Sequence, residues 1–143
     1  MVALVRVATT PLSSCSHIAN GLGIGKSTAI TLAQNGIGAL ALLDLNLPLL
    51  EETRDELRNL FPHVEVEILR VNVADEASVQ AAVHAVVERF GRIDIGINCA
   101  GISGYPTPTH EMSLVEWQKV VDVNQTGVWL CQRALIRQML QQE

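Results

Sequence analysis

Short apolar runs alternate with helical stretches along this chain, and this alternation most constrains its fold. Four runs have the length and composition of strands covered on both faces: residues 2–5 (VALV), 39–43 (ALALL), 64–73 and 93–98 (IDIGIN). Four stretches are predicted as helices: residues 26–34, 50–60, a stretch that Asp75 caps, and residues 113 onward. The alternation predicts an α/β fold, a doubly wound parallel sheet with right-handed crossovers and helices on both faces.

The bulk composition fits one domain over residues 1–143. Hydrophobic residues make up 48% and charged residues 17%, which is typical of a chain with a buried core. The net charge of −5 argues against nucleic acid or an anionic membrane as partner. No apolar run approaches the ~20 residues of a bilayer span, and the first is too short for a secretory signal. We therefore expect a cytoplasmic protein.

The cysteines and histidines do not form a pattern typical of metal or disulfide sites. The three cysteines (Cys15, Cys99 and Cys131) lack CxxC spacing, and the four histidines lack metal-ligand spacing. Buried or incidental thiols and surface imidazoles are the simpler interpretation. We predict no bound metal.

The stretch NGLGIGKST, residues 20–28, supports two interpretations. A phosphate-binding Walker A loop needs GxxxxGK[ST], but Asn20 stands where the first glycine belongs. The alternative is a dinucleotide turn, in which Gly21, Gly23 and Gly25 lie between a strand and a helix whose amides face a pyrophosphate. The glycines could also form a turn and nothing more. The spacing favours the dinucleotide turn.

Asp44 supports the same interpretation. It ends the second predicted strand, 19 residues after Gly25. A carboxylate at this position accepts hydrogen bonds from the ribose hydroxyls and repels a 2′-phosphate. Asp44 therefore favours NAD as the cofactor, with NADP less favoured.

Five segments in order resemble the short-chain dehydrogenase/reductase family: GIGKSTAITLAQNG, LLDLN, VNVADEASV, NCAG and DVNQTGVWLCQRAL. The resemblance covers nearly all residues from 21 to 143. It implies a Rossmann-like sheet, incomplete here with about four strands. It also implies hydride transfer between NAD(P) and a small alcohol or carbonyl substrate.

The resemblance also implies roles for individual residues. Asn124 matches the catalytic asparagine, which in the family kinks its helix and holds a water in the proton relay. The pyrophosphate would lie on Gly21, Gly23, Ile24 and Gly25. The other cofactor contacts would be Asp44 at the ribose, Asn72 and Val73 beside the adenine, Asn98, Ala100 and Gly101 at the nicotinamide, and Arg133 at a basic position of the cofactor site.

Two departures from the family pattern bear on activity. About a dozen residues, 6–19, separate VALV from the glycines, whereas the family runs directly from strand to turn. The family's Ser, Tyr and Lys belong after the last residue, Glu143. The one tyrosine, Tyr105, is followed four residues on by Thr109 rather than Lys. By the family pattern the chain is an N-terminal half without the acid/base pair.

The function therefore has alternatives at this stage. The chain is a short-chain dehydrogenase with impaired catalysis, a non-catalytic dinucleotide-binding or interaction module, or a non-functional truncated product. A sheet that ends with IDIGIN would expose a strand edge, and the last helix carries apolar residues on more than one side. We expect self-association through these two surfaces.

Overall fold

The alternation of strands and helices is present in the folded chain. A computed structural model of the protein describes residues 1–6, 23–104 and 106–142. The strands are β1 (Val2–Arg6), β2 (Ala39–Asp44), β3 (Glu65–Arg70) and β4 (Ile95–Asn98). The α-helices are α1 (Ile24–Gln34), α2 (Leu47–Leu60), α3 (Glu76–Phe90), α4 (Leu114–Val121) and α5 (Val128–Met139), and a π-helical segment, Asp122–Gly127, joins the last two.

Local capping chemistry determines where several helices begin and end. Asn46 caps α2 by accepting from the Leu49 amide at 3.2 Å, so α2 begins three residues earlier than predicted. Asp75 caps α3, as expected, and Ser113 and Glu116 form the predicted capping box of α4. Gly91 ends α3 with φ of 82°, a conformation that glycine adopts without a steric penalty.

The strand order is β3-β2-β1-β4, which leaves β4 at one end of the described sheet. Strands β2 and β3 are parallel, and β1 is antiparallel to both β2 and β4. Three strands therefore share one direction, and β1 runs in the opposite direction. The prediction of a wholly parallel sheet is wrong for β1, whereas the α/β class and the incomplete Rossmann-like sheet are confirmed.

The reversed direction of β1 has a physical explanation in its composition. Val2, Ala3 and Leu4 are all buried, so this strand buries the same apolar surface in either direction. Arg6 pairs with Ala39 at the amino end of β2, and Met1 lies at the carboxyl end, beside Asp44. The chain therefore leaves β1 at the opposite edge of the sheet from the start of α1.

Helices cover both faces of the sheet, as predicted. On one face α1 and α2 pack through Ala29, Leu50 and Leu57 against Leu40 and Leu42 of β2. On the other face α3 and α5 pack against the alternate residues of β1 and β2, and this cluster comprises sixteen buried residues that include Leu4, Ala41, Leu43, Val86 and Leu135. Because β2, β3 and β4 run in the same direction, their carboxyl ends lie at the same edge of the sheet between these two helix layers.

Candidate dinucleotide site

Two adjoining cavities lie along the carboxyl edge of the sheet, and together we call them the cleft. The larger, about 290 Å³, is lined by the start of α1, by α2 and by Asp44. The smaller, about 110 Å³, is lined by the residues that follow β2, β3 and β4. Met1 and Asp44 line both. In open α/β sheets this edge is where ligands bind.

The start of α1 forms one wall of the larger cavity. Gly23, Ile24, Gly25 and Lys26 all line it. The first amides of an α-helix have no intrahelical acceptor, and the helix dipole places partial positive charge there. Among the residues that the structure describes, three of the predicted pyrophosphate ligands therefore face the cleft, and Gly21 lies outside the described residues.

Asp44 is the charged group at the centre of the cleft. Its Oδ1 accepts from the Asn46 amide at 3.0 Å, and its Oδ2 lies 2.9 Å from the amino-terminal ammonium of Met1. Burial raises the pKa of this carboxyl, but the hydrogen bonds from the Asn46 amide and the ammonium outweigh it, so the pKa is lowered. Asp44 is held ionised, as an acceptor for ribose hydroxyls must be.

Met1 stands between the two cavities. Its carbonyl accepts from the Cys99 amide at 3.1 Å, and its ammonium pairs with Asp44. A methyl group added at Gly25 would lie 2.7 Å from the Met1 Cε atom, so a side chain at position 25 would displace Met1. A ligand on Asp44 and α1 therefore has to share this space with Met1 or move it.

The smaller cavity contains most of the residues predicted to face the adenine and the nicotinamide. Asn72, Val73, Ala100 and Gly101 line it together with Asp44. The Asn72 Oδ1 atom accepts from the Ala74 amide at 3.1 Å, which turns the chain between β3 and α3. The residues after β2, β3 and β4 thus meet although they are distant in sequence.

Asn124 lies in the π-helical segment and holds the loop after β4. Its Oδ1 accepts from the Ile102 amide and its Nδ2 donates to the Ile102 carbonyl, both at 2.9 Å. Both ends of the side-chain amide are therefore engaged with one backbone residue. Single π-helical turns inside α-helices are frequent at functional sites.

Other predicted residues lie away from the cleft or outside the described part. Arg133 lines a groove of about 330 Å³ between α3 and α5, where it pairs with Glu76 and stacks on Trp129 at 4.3 Å. Asn98 ends β4, and its buried Oδ1 has no hydrogen-bond partner within the described ranges. Tyr105 lies outside them. The structure therefore does not bring Arg133 to the cleft.

The residues of the cleft that sequence reasoning missed include Met1, Lys26 and Cys99. Lys26 lies 2.8 Å from a Glu56 oxygen and 3.4 Å from one of Glu52, and these two glutamates are four residues apart on α2. That spacing is visible in the sequence and could have indicated the pair. Nothing in the sequence indicates the position of Met1.

A sequence model of the short chain dehydrogenase family matches residues 18–143. The chain belongs to this family. It is 39% identical over 122 residues to levodione reductase of Leifsonia aquatica, an alignment that covers 85% of this chain and 45% of that protein. The chain thus spans about half the length of this relative, and the family match begins after β1.

Solved structures agree with this membership. The NAD⁺-bound xylitol dehydrogenase structure matches with a TM-score of 0.75 at 33% identity, over 84% of this chain and 45% of that one. The F189W actinorhodin polyketide ketoreductase structure with NADPH matches with a TM-score of 0.72 at 30% identity, over 82% and 45%. Family members therefore bind NAD(P), and both cofactor forms occur among these structural relatives.

The cleft fits the adenosine and pyrophosphate part of such a cofactor. It offers an ionised carboxylate at the end of β2 and the first turn of α1, where the helix dipole places partial positive charge. Both match the chemistry of ribose hydroxyls and of a pyrophosphate. Within the described residues there is no cluster of three metal-binding side chains and no helix long and apolar enough to cross a membrane.

Proposed function

We propose that this chain binds NAD in the cleft and is the cofactor-binding part of a short-chain dehydrogenase. The observation that carries the proposal is the meeting of Asp44, the start of α1 and Asn72 at one edge of the sheet. These groups are an acceptor for ribose hydroxyls, donors for a pyrophosphate and a polar contact for adenine. Ala100 and Gly101 line the smaller cavity, and their small size would leave space for the nicotinamide half of the cofactor.

The reaction that we propose for this cofactor is hydride transfer with a small alcohol or carbonyl substrate. The names of levodione reductase and xylitol dehydrogenase describe substrates of that class. Residues 1–143 contain no Tyr that is followed four residues later by Lys, the spacing of the family's acid/base pair. We therefore expect the 143-residue polypeptide, assayed by itself, to turn over secondary alcohols about 10²–10⁴-fold more slowly than a full-length relative, because such a pair is the agent of proton transfer in the family pattern. Turnover within tenfold of such a relative would contradict this expectation.

In the proposed site Asn124 acts as a positioning residue. Its amide holds the Ile102 backbone beside Gly101, which lines the smaller cavity. Asp44 selects NAD over NADP through charge repulsion of a 2′-phosphate. The predicted contact of Arg133 with the cofactor receives no support from its place in the groove between α3 and α5.

Calorimetric titration with NADH tests the proposed site, with Asp44→Asn as the variant. We expect saturable binding by the wild type and a loss of about tenfold or more in the variant, because one hydrogen-bonded charge is removed. Asp55→Asn is the matched control, since Asp55 is an exposed carboxylate outside the cleft that pairs with Arg54. Absence of saturable binding by the wild type, or equal losses in both variants, would refute the site.

We also propose that the chain self-associates. Five large apolar side chains on α4 and α5 are exposed, and so is Leu140 directly after α5; the five are Leu114, Val115, Trp117, Trp129 and Ile136. Strand β4 lies at the end of the described sheet, where a second chain could pair. Sedimentation at micromolar concentration should show dimers or larger species. A single monomer boundary at every concentration would refute this proposal.

A further inference from the structure

Arg70 ends strand β3, next to the end of strand β2 where Asp44 lies. In the parallel register of β2 and β3 it is the partner of Asp44. The Arg70 side chain is exposed, and its Nε donates to the carbonyl of Leu45 at 3.3 Å. Leu45 follows Asp44 and lines the smaller cavity. The guanidinium therefore lies over the turn that begins at Asp44.

The charge of Arg70 has no carboxylate partner among the residues that the structure describes. Four other arginines, by contrast, each lie beside an acidic side chain: Arg54, Arg89, Arg92 and Arg133. Within the described part of the chain, the Arg70 side chain makes one hydrogen bond, through Nε, so its other four N–H donors have no partner there. Arg70 can therefore donate hydrogen bonds to an anionic group on the ribose that we propose Asp44 binds.

The two cations that line the cleft, Lys26 and the ammonium of Met1, are already engaged. Lys26 is nearly buried, at 8% exposure, and is held by Glu56 and Glu52. The ammonium of Met1 is paired with Asp44 itself. Arg70 is thus the cation beside the Asp44 turn that can bind an added anionic group without first breaking an ion pair with a described residue.

We propose that Arg70, which lies next to the cleft, is a second residue that determines cofactor specificity and that it binds the 2′-phosphate of NADP beside Asp44. The proposal rests on the proposed dinucleotide site. Asp44 disfavours a 2′-phosphate by repulsion, and Arg70 offsets part of that repulsion through a charge-assisted hydrogen bond. The chain then binds both cofactors, with NADH bound more tightly and NADPH binding dependent on Arg70.

Titration of the whole chain with NADH and with NADPH tests this role. In Arg70→Ala and in Arg70→Gln we expect NADPH affinity to fall about five- to tenfold, while NADH affinity changes by less than about twofold. The glutamine can still donate to the Leu45 carbonyl, so it separates the charge from the hydrogen bond. Arg70→Lys keeps the charge and should retain most of the NADPH affinity.

Arg58→Ala is the matched control. Arg58 also donates to a carbonyl, that of Val66 at 3.4 Å, but it lies on α2 outside the cleft. Its loss should leave the ratio of the two affinities unchanged. Equal weakening of NADH and NADPH binding in Arg70→Ala would show that Arg70 only holds the turn, and unchanged affinity for both cofactors would show that Arg70 has no role; either result overturns the proposal.

A second titration separates this inference from the proposed function. Adenosine 2′,5′-bisphosphate and adenosine 5′-monophosphate differ only in the 2′-phosphate and need neither pyrophosphate nor nicotinamide contacts. If the dinucleotides fail to bind but the bisphosphate binds more tightly than the monophosphate through Arg70, the inference stands and the dinucleotide site fails. If NADH binds and the bisphosphate has no advantage that depends on Arg70, the inference alone fails.

Discussion

At the scale of single residues, Asp44 has a structural role in addition to the binding role that we propose for it. Its two oxygens are engaged by the Asn46 amide and by the Met1 ammonium, so the carboxylate ties the turn after β2 to the amino terminus. The same oxygens are the acceptors that a ribose would need. Cofactor binding at Asp44 therefore competes with a contact that the protein makes within itself.

The lowered pKa of Asp44 predicts a pH dependence of stability. A carboxyl whose pKa is lower in the folded chain than in the unfolded chain contributes stability above its unfolded pKa, about 4. That contribution is lost as the pH falls through the folded pKa. Chemical denaturation of the wild type and of Asp44→Asn from pH 7 to pH 3 measures it.

We expect the wild type to exceed Asp44→Asn in free energy of unfolding from pH 7 down to about pH 5. The difference should shrink below about pH 4. The remaining carboxyls titrate in both proteins, so their effects cancel in the difference. A difference that stays constant down to pH 3 would contradict the role of Asp44 as an ionised, hydrogen-bonded group.

At the scale of secondary-structure elements, Lys26 joins α1 to α2. Its Nζ lies 2.8 Å from Glu56 and 3.4 Å from Glu52, and both partners are on α2. The hydrogen bond and charge of Glu56 raise the pKa of Lys26 more than burial lowers it, so the ammonium is retained. This ion pair aligns the start of α1, which borders the cleft, with the helix that follows Asp44.

A double-mutant cycle should rank the two contacts of Lys26. We expect a coupling free energy of about 1 kcal/mol or more between Lys26→Met and Glu56→Gln, and a smaller one between Lys26→Met and Glu52→Gln. Glu56 is closer and 37% exposed, whereas Glu52 is 70% exposed and better screened by solvent. Denaturant unfolding of the single and double variants gives both values. Equal couplings, or a larger one for Glu52, would contradict this ranking.

At the scale of the whole molecule, the direction of β1 determines what lies in the cleft. Because β1 is antiparallel, Met1 is at the carboxyl edge with Asp44 and Gly25, and Arg6 is at the far edge. A parallel β1 would place Arg6 near the cleft and Met1 at the far edge. The position of Met1 between the two cavities is therefore a consequence of topology.

Nuclear Overhauser contacts between β1 and its neighbours test this direction. In the antiparallel register Ala3 lies opposite Leu42 and Leu4 opposite Ala41. Antiparallel strands bring facing Cα atoms as close as ~4.5 Å, so strong Hα–Hα contacts are expected for alternate pairs. The parallel pair of β2 and β3 is an internal control, since it should lack such contacts. Their absence between β1 and β2 would contradict the reversed strand.

Much of the fold was predictable from local patterns. The apolar run from Ala39 to Leu43 is buried on both faces, and Ser113 and Glu116 form the expected capping box. The strand order placed β4 at an edge, as predicted. Such features depend on residues that are close in sequence, or on the general rules for connecting strands through helices. The direction of β1 could not be predicted in this way. The rules for parallel strands assume a short connection from β1 to α1, and in this sequence about a dozen additional residues separate the two.

The part of the candidate site that is formed by residues at the ends of strands could be predicted from the sequence. Asp44 and Asn72 follow adjacent strands, so their meeting in one cavity follows from the sheet. Arg133 was expected at the cofactor from the resemblance alone, yet the packing of α5 on α3 places it beside Glu76. A local sequence pattern does not predict which face of a long helix packs against which neighbouring element.

Local sequence patterns therefore specify which residues form strands and helices and which polar groups follow the strands, because apolar spacing and capping act over a few residues. The direction of β1, the pairing of the Met1 ammonium with Asp44 and the place of Arg70 over the Leu45 carbonyl follow from the packing of the folded chain. The reason is that VALV buries the same side chains in either direction. Its direction, and every contact that depends on it, is set by the packing of the whole chain.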